Sequence, residues 1–138
     1  MSEYHSVVIE MTNQEAIIEA LQEMGYNPQI HVIPVKLQGY MGDYRNQKAH
    51  IVIPKSQISS ASNDIGFEKM ENGSYKIHIS EYDETIAKNE DRGFQVDKIK
   101  QLYAKHRLLK KVDQKLKYKL KQQSVDSDGR IRIRLQRR

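Results

Sequence analysis

Ile65-Gly66-Phe67-Glu68-Lys69-Met70-Glu71-Asn72-Gly73-Ser74-Tyr75-Lys76-Ile77-His78-Ile79 is the stretch that decides the fold. Ile65 and Phe67, then Tyr75, Ile77 and Ile79, recur at the two-residue period of strands with one buried face. Asn72-Gly73 stands between them, the dipeptide best suited to the type I′ turn of a tight hairpin. A β-hairpin is expected here, and the flanking segments extend it.

Upstream, residues 6–11 are rich in β-branched types and predict a first strand. Thr12 precedes Glu15 by three residues, the spacing of a capping box. Ala16, Ile17, Ala20, Leu21 and Met24 then follow at three- and four-residue steps, one apolar helix face closed by Gly25. Ile30–Val35 predicts a second strand, Lys36–Gln47 a long connection, and Lys48–Ile53 a third strand ended by Pro54. The Ser/Asn-rich residues 56–63 predict a surface loop. Downstream, residues 81–91 are acidic and lack periodicity, which predicts a loop or a short helical turn. Val96, Ile99, Leu102, Tyr103, His106, Leu109, Val112 and Leu116 have helical spacing. Alternation at 117–122 and 130–136, with Ser127-Asp128-Gly129 between, predicts a closing hairpin. The order predicts an α+β fold: a mostly antiparallel sheet with two helices on one face, with an elaborated ferredoxin-like core as one form of it.

The 138 residues suit a single domain over 1–138, with 38% apolar and 30% charged residues. No apolar run is long enough to span a membrane, and no secretory leader is visible at Met1–His5. The absence of cysteine excludes disulfides, a thiolate nucleophile and a sulfur-ligated zinc. A cytoplasmic protein is expected. The net charge of +5 hides a split: residues 1–91 carry 7 Lys/Arg against 14 Asp/Glu, and residues 92–138 carry 16 against 4. Opposite signs in the two halves mean either two partner surfaces or halves that attract each other.

The closing hairpin would set Lys117, Lys119 and Lys121 beside Arg130, Arg132 and Arg134 on one outer face, extended by Arg137 and Arg138. Lys110, Lys111 and Lys115 lie just before it. The field of such a ribbon attracts polyanions, an acidic protein or a nucleic acid. Cations on a terminal edge strand also simply keep it from pairing with other chains, and the acidic 81–91 segment offers them an internal partner. Tyr40, Met41 and Tyr44 are candidate contacts in the glycine-bearing connection, either as apolar anchors or as platforms for bases.

Alternation places His50 and His78 on the outer sheet face, with His31 a possible neighbour, as solvent-exposed histidines or a metal site. His106 faces the apolar side of the second helix beside Tyr103. There is no Gly-x-Ser-x-Gly elbow, and Gly39-x-x-Gly42 is too short for a phosphate loop. Asp83-Glu84 and Glu90-Asp91 fit a solvated acidic segment. No enzyme, cofactor or metal is expected, and convergence of Asp64, Glu68 and His78 in a cleft would be the sign of one.

Four segments carry a family resemblance: Gly39-Tyr40 through Ala49-His50-Ile51-Val52-Ile53; Asp64-Ile65-Gly66-Phe67-Glu68 with Gly73-Ser74-Tyr75; Tyr103-Ala104-Lys105-His106; and Asp128-Gly129-Arg130-Ile131-Arg132 with Gln136-Arg137-Arg138. In that order they resemble the hypothetical chloroplast reading frame thirty-five family, small proteins of plastids and cyanobacteria with wider bacterial relatives. The chain departs from the plastid pattern in having no tryptophan after Ile79 and in ending on Arg138. The family is uncharacterised, so the resemblance implies no activity. It implies at most a loose association with an AAA-type ATPase, and the plastid stroma as the compartment of a plastid-encoded chain. The expected role is an accessory protein that engages an acidic protein partner through the basic hairpin, with RNA or DNA binding as the alternative.

Overall fold

The computed structural model describes residues 3–125, with side chains through Lys119. The elements are β1 (Tyr4–Ile9), α1 (Gln14–Glu23), β2 (Gln29–Gln38), β3 (Tyr44–Ile53), a short 3-10 turn (Lys55–Gln57), β4 (Ile65–Lys69), β5 (Tyr75–Ser80), α2 (Glu81–Glu90) and α3 (Val96–Val125). The strands form one sheet in the order β1-β5-β4-β3-β2, and every pairing is antiparallel. With its helices this is an α+β fold. Ile65, Phe67, Tyr75, Ile77 and Ile79 line one sheet face and share a buried cluster with α1 and α3.

The hairpin quoted first is present, but its turn differs from type I′. Only Gly73 has a positive φ, at 90°. Gly73 N–H donates to Met70 O, and Met70 N–H donates to Ser74 O. Asn72 instead turns its side chain on Ser74, whose N–H and hydroxyl both bond Asn72 Oδ1. One extra residue in the loop removes the need for a second left-handed position.

Other boundaries moved. The cap of α1 is Asn13 rather than Thr12, since Asn13 Oδ1 accepts from Ala16 N–H at 2.8 Å. The connection expected at 36–47 is mostly strand: Lys36 pairs with Lys48 and Gln38 with Tyr44, leaving a turn at 39–43 closed by Gly39 N–H to Asp43 O. The acidic segment is a full helix, because Ser80 caps it: its Oγ accepts from Asp83 N–H and its hydroxyl donates to the Asp83 carboxylate. The expected strand at 117–122 is instead the end of α3. Lysine, leucine and glutamine are good helix formers, and no glycine or proline intervenes to stop a helix already running. The expected strand 130–136 lies outside the described residues.

Beyond these shifts, the β2–β3 hairpin folds over the back of the sheet. The β3–β4 ladder stops at Ile51 opposite Phe67, and Lys69 N–H finds His50 Nδ1 at 3.0 Å instead of a backbone carbonyl. From there the hairpin leaves the plane of the sheet. Its far end reaches the opposite edge, where the Tyr4 hydroxyl donates to Asp64 O and lies 3.3 Å from Gln38 O. Arg45 stacks 5.3 Å above the Tyr4 ring. Leu37, Ala49 and Val52 thereby form a second, smaller buried cluster on this side, with Val35 and Tyr4 packed against it.

Tyr103 fastens α3 to the start of α1. Its oxygen accepts from Thr12 N–H at 3.0 Å and Asn13 N–H at 3.1 Å, two amides that a helix start leaves without partners. Burial pushes the Tyr103 hydroxyl up, but the Asn13 and Thr12 amides, the Thr12 hydroxyl and the charge of Arg107 together hold it below the usual tyrosine value. Tyr103→Phe leaves both amides without that acceptor and is expected to cost about 1–3 kcal/mol, read as a lower urea midpoint. An unchanged midpoint would mean that solvent replaces the hydroxyl freely.

Candidate binding surface

Of the cations proposed as a ribbon, Lys117, Lys119 and Lys121 lie on a helix. At 100° per residue, Lys117 and Lys121 share a face while Lys119 turns roughly to the other side, so the three do not form one row. Arg130, Arg132, Arg134, Arg137 and Arg138 lie outside the described residues. The geometry available is that of α3, thirty residues and so about 45 Å long.

Among the described residues, only the first part of α3 is packed. Ile99, Leu102 and Tyr103 enter the core. Next to them runs a charged seam with α1: Lys105 Nζ lies 2.9 Å from Glu23, His106 Nε2 2.7 Å from Glu23, and Lys110 Nζ 3.1 Å from Glu19. The bonds from Lys105 and His106 hold the Glu23 carboxyl below its ordinary value, and Glu19 raises Lys110 above its own. His106 is half-buried and hydrogen-bonded, as its place on the apolar side predicts. Among the described residues the acidic partner of α3 is therefore α1. Among the described residues no ion pair joins α2 to α3.

Past the seam the helix carries an unpaired apolar stripe. Leu108, Val112 and Leu116 follow at four-residue steps, with Leu109 beside them, and they are 62%, 48%, 43% and 54% exposed respectively. On the helical wheel this stripe lies about a third of a turn from the side that meets α1, so the core cannot cover it. Lys111 and Lys115 flank it, both exposed, while Lys117 pairs with Asp113 at 3.2 Å. A lengthwise apolar row with cations along one side can enter a groove in another molecule. Leu109, Val112 and Leu116 stand in the sequence at the helical spacing of Ile99, Leu102 and Tyr103, whereas Leu108 falls outside that pattern.

Tyr40, Met41 and Tyr44 are exposed at the hairpin tip. Tyr40 N–H donates to Asn63 Oδ1, which ties the tip to the back of the sheet. The stripe of α3 belongs to the helix layer on the front. The two groups of candidate contacts are thus on opposite sides of the sheet, not in one surface.

The histidines also part company. His50 is half-buried and accepts the Lys69 amide. His31 is half-buried on β2. His78, expected in solvent, is only 3% exposed, because the hairpin folded over the back of the sheet encloses that face. No group of three metal-ligating side chains occurs among the described residues. Of the three residues whose meeting would signal an enzyme, Glu68 and His78 touch at 2.7 Å. Asp64 does not join them: its carboxylate accepts from Gln38 N–H and Lys55 N–H, beside an open polar cavity of about 290 Å³. No helix among the described residues is long and apolar enough to cross a membrane.

A family model described as Protein of unknown function (DUF1257) matches residues 20–134. No curated protein and no solved structure matches the chain.

Proposed function

Since the chain belongs to the family Protein of unknown function (DUF1257), we propose its role from its own surface: an accessory protein that engages an acidic protein partner through the exposed part of α3. The observation that carries this reading is the Leu108, Leu109, Val112 and Leu116 stripe set among lysines. Phosphates need only the cations, whereas the exposed leucines add nothing to counterion release. A partner with an apolar groove and an acidic rim uses both, the leucines for affinity and the lysines for approach and orientation. The finer likeness to the hypothetical chloroplast reading frame thirty-five family belongs to the same proposal. With it come an AAA-type ATPase as a partner class and the cytoplasm, or the stroma for a plastid-encoded chain, as the compartment. RNA or DNA binding through the same cations is the second reading, favoured by the excess of 16 basic over 4 acidic residues in 92–138.

Two variants of the full chain separate these readings. One carries Leu109→Ser, Val112→Ser and Leu116→Ser; the other carries Lys111→Gln, Lys115→Gln and Lys119→Gln. Affinity capture with the wild-type chain as bait should retain an acidic protein that the serine variant loses at least tenfold, with a milder, salt-dependent loss in the glutamine variant. The counter-result is tight binding of labelled single-stranded RNA or duplex DNA whose salt slope falls by about 3 in the glutamine variant and is untouched by the serines. That outcome would replace the protein partner with a nucleic acid.

A further inference from the structure

One line of residues on the back of the sheet is left unused by the binding surface. Strand register sets Ser6 opposite His78 and His78 opposite Gly66, with Val8, Lys76 and Glu68 in the adjoining row. Within this patch Ser6 Oγ lies 2.8 Å from His78 Nδ1, and His78 Nε2 lies 2.7 Å from Glu68 Oε1. The imidazole is 3% exposed and held between a solvent-exposed serine and a carboxylate whose side chain is 32% exposed.

In the neutral imidazole with its hydrogen on Nε2, that N–H donates to the Glu68 carboxylate, which can only accept. That leaves the lone pair of Nδ1 directed at Ser6 Oγ, whose hydroxyl hydrogen is then the donor. A nucleophile hydrogen-bonded to a base, itself oriented by an anion, is the arrangement that activates serine wherever it occurs. Nothing in local sequence marks it here. Ser6 and His78 are 72 residues apart and meet only because β1 adds to the sheet beside β5.

We propose that Ser6 is an activated nucleophile and that the Ser6–His78–Glu68 line is an acyl-transfer site for small activated esters. Its surroundings set the substrate class. Ser6 stands on an edge strand with the exposed Val8 beside it on the same face, an open shelf that suits a short acyl group rather than a long chain. Lys76 lies in the row next to His78 on that face, opposite Val8 and Glu68. In the first step Ser6 Oγ bonds to the ester carbonyl carbon while its proton passes to His78 Nδ1. The carbon–oxygen bond to the leaving group breaks, and that oxygen takes the proton from His78. Water then repeats the sequence on acyl-Ser6, releasing the carboxylic acid and restoring the hydroxyl. This site is independent of α3, so its failure leaves the partner-binding reading untouched.

The test uses the full chain and p-nitrophenyl acetate as probe. Nitrophenolate release is followed, and the acetylated residue is located by peptide mass mapping. Acetyl-Ser6 should form at least about a hundredfold faster than on a serine in an unstructured peptide, the range that a positioned base supplies. Ser6→Ala should abolish that adduct, and Glu68→Gln should slow it at least tenfold, each in a chain that stays folded. His78→Gln should do the same; should that variant unfold, the other two carry the comparison. Acetyl groups found only on lysines, or a Ser6 adduct formed as fast in Glu68→Gln as in the wild type, would overturn the assignment.

Discussion

Gly66→Ala is expected to cost about 3 kcal/mol, although adding a methyl group to a glycine usually helps a chain fold. A Cβ built on Gly66 runs into the Cβ of Ala49 and lies 2.9 Å from Leu37 Cδ2. The leucine can rotate away, but Ala49 has no rotamer to change, so β3 itself must move. Overpacking of this kind costs about 1–3 kcal/mol, and a rigid neighbour puts the case at the upper end. The opposing gain, less freedom in the unfolded chain, is about 0.4–1 kcal/mol. The clash wins. Gly66 has no positive φ, so backbone strain plays no part. Urea unfolding of Gly66→Ala beside the double variant with Ala49→Gly checks the cause: the second change should recover part of the lost midpoint. Equal midpoints for wild type and Gly66→Ala would show that the hairpin does not press on the back of the sheet.

Asp83→Ala should cost a similar amount, about 3 kcal/mol, through polar rather than steric loss. Asp83 is 3% exposed, and its Oδ2 accepts from the Ser80 hydroxyl at 2.7 Å, Asn63 N–H at 3.1 Å and Asn63 Nδ2 at 3.3 Å. Ser80 in turn receives Asp83 N–H and caps α2. Removing the carboxylate leaves three buried donors short of a partner at about 1 kcal/mol each and weakens the cap. The thermal midpoint should fall by about 10 °C. The damage also has a direction. Asn63 Oδ1 receives Tyr40 N–H at 2.6 Å, so a loosened Asn63 frees the hairpin tip that carries Tyr40, Met41 and Tyr44. Amide exchange at Tyr40 should accelerate more than exchange in the β4–β5 ladder. Uniform acceleration across both would mean global destabilisation without this local link.

The legible part of the fold was the part written in periodicity. Ile65, Phe67, Tyr75, Ile77 and Ile79 alternate because one sheet face is buried, and that pattern is local enough to read. The same holds for Ala16, Ile17, Ala20 and Leu21 on α1. Periodicity failed where two regular structures compete for the same letters. Lys117-Tyr118-Lys119-Leu120-Lys121 alternates like a strand, yet a helix already running needs no new nucleus, and each further residue extends it at little cost. The acidic segment misled for another reason: Asp83 is buried by Asn63, twenty residues away, and that partner cannot be inferred from the segment.

The candidate surface was half legible. Charge asymmetry between residues 1–91 and 92–138 is a property of composition, and it pointed to the C-terminal third, although as a hairpin rather than as α3. Which cations remain available is a tertiary matter: Glu19 and Glu23 on α1 take Lys105, His106 and Lys110, and they leave Lys111 and Lys115 outside the seam. Whether the leucines at 108–116 are core or surface was equally undecidable from spacing, since it depends on which side of the helix α1 covers.

By itself, then, the sequence determined the strand hairpin, the first helix, the helix beginning at Val96 and the sign of the charge around it, because alternation, helical spacing and charge are local properties. Only the tertiary structure decided that the 29–53 hairpin folds across the back of the sheet, that Gly66 must lack a side chain beneath it, and that Ser6, His78 and Glu68 meet. Each of these depends on chain segments distant in sequence arriving at one place, and no local pattern records that encounter.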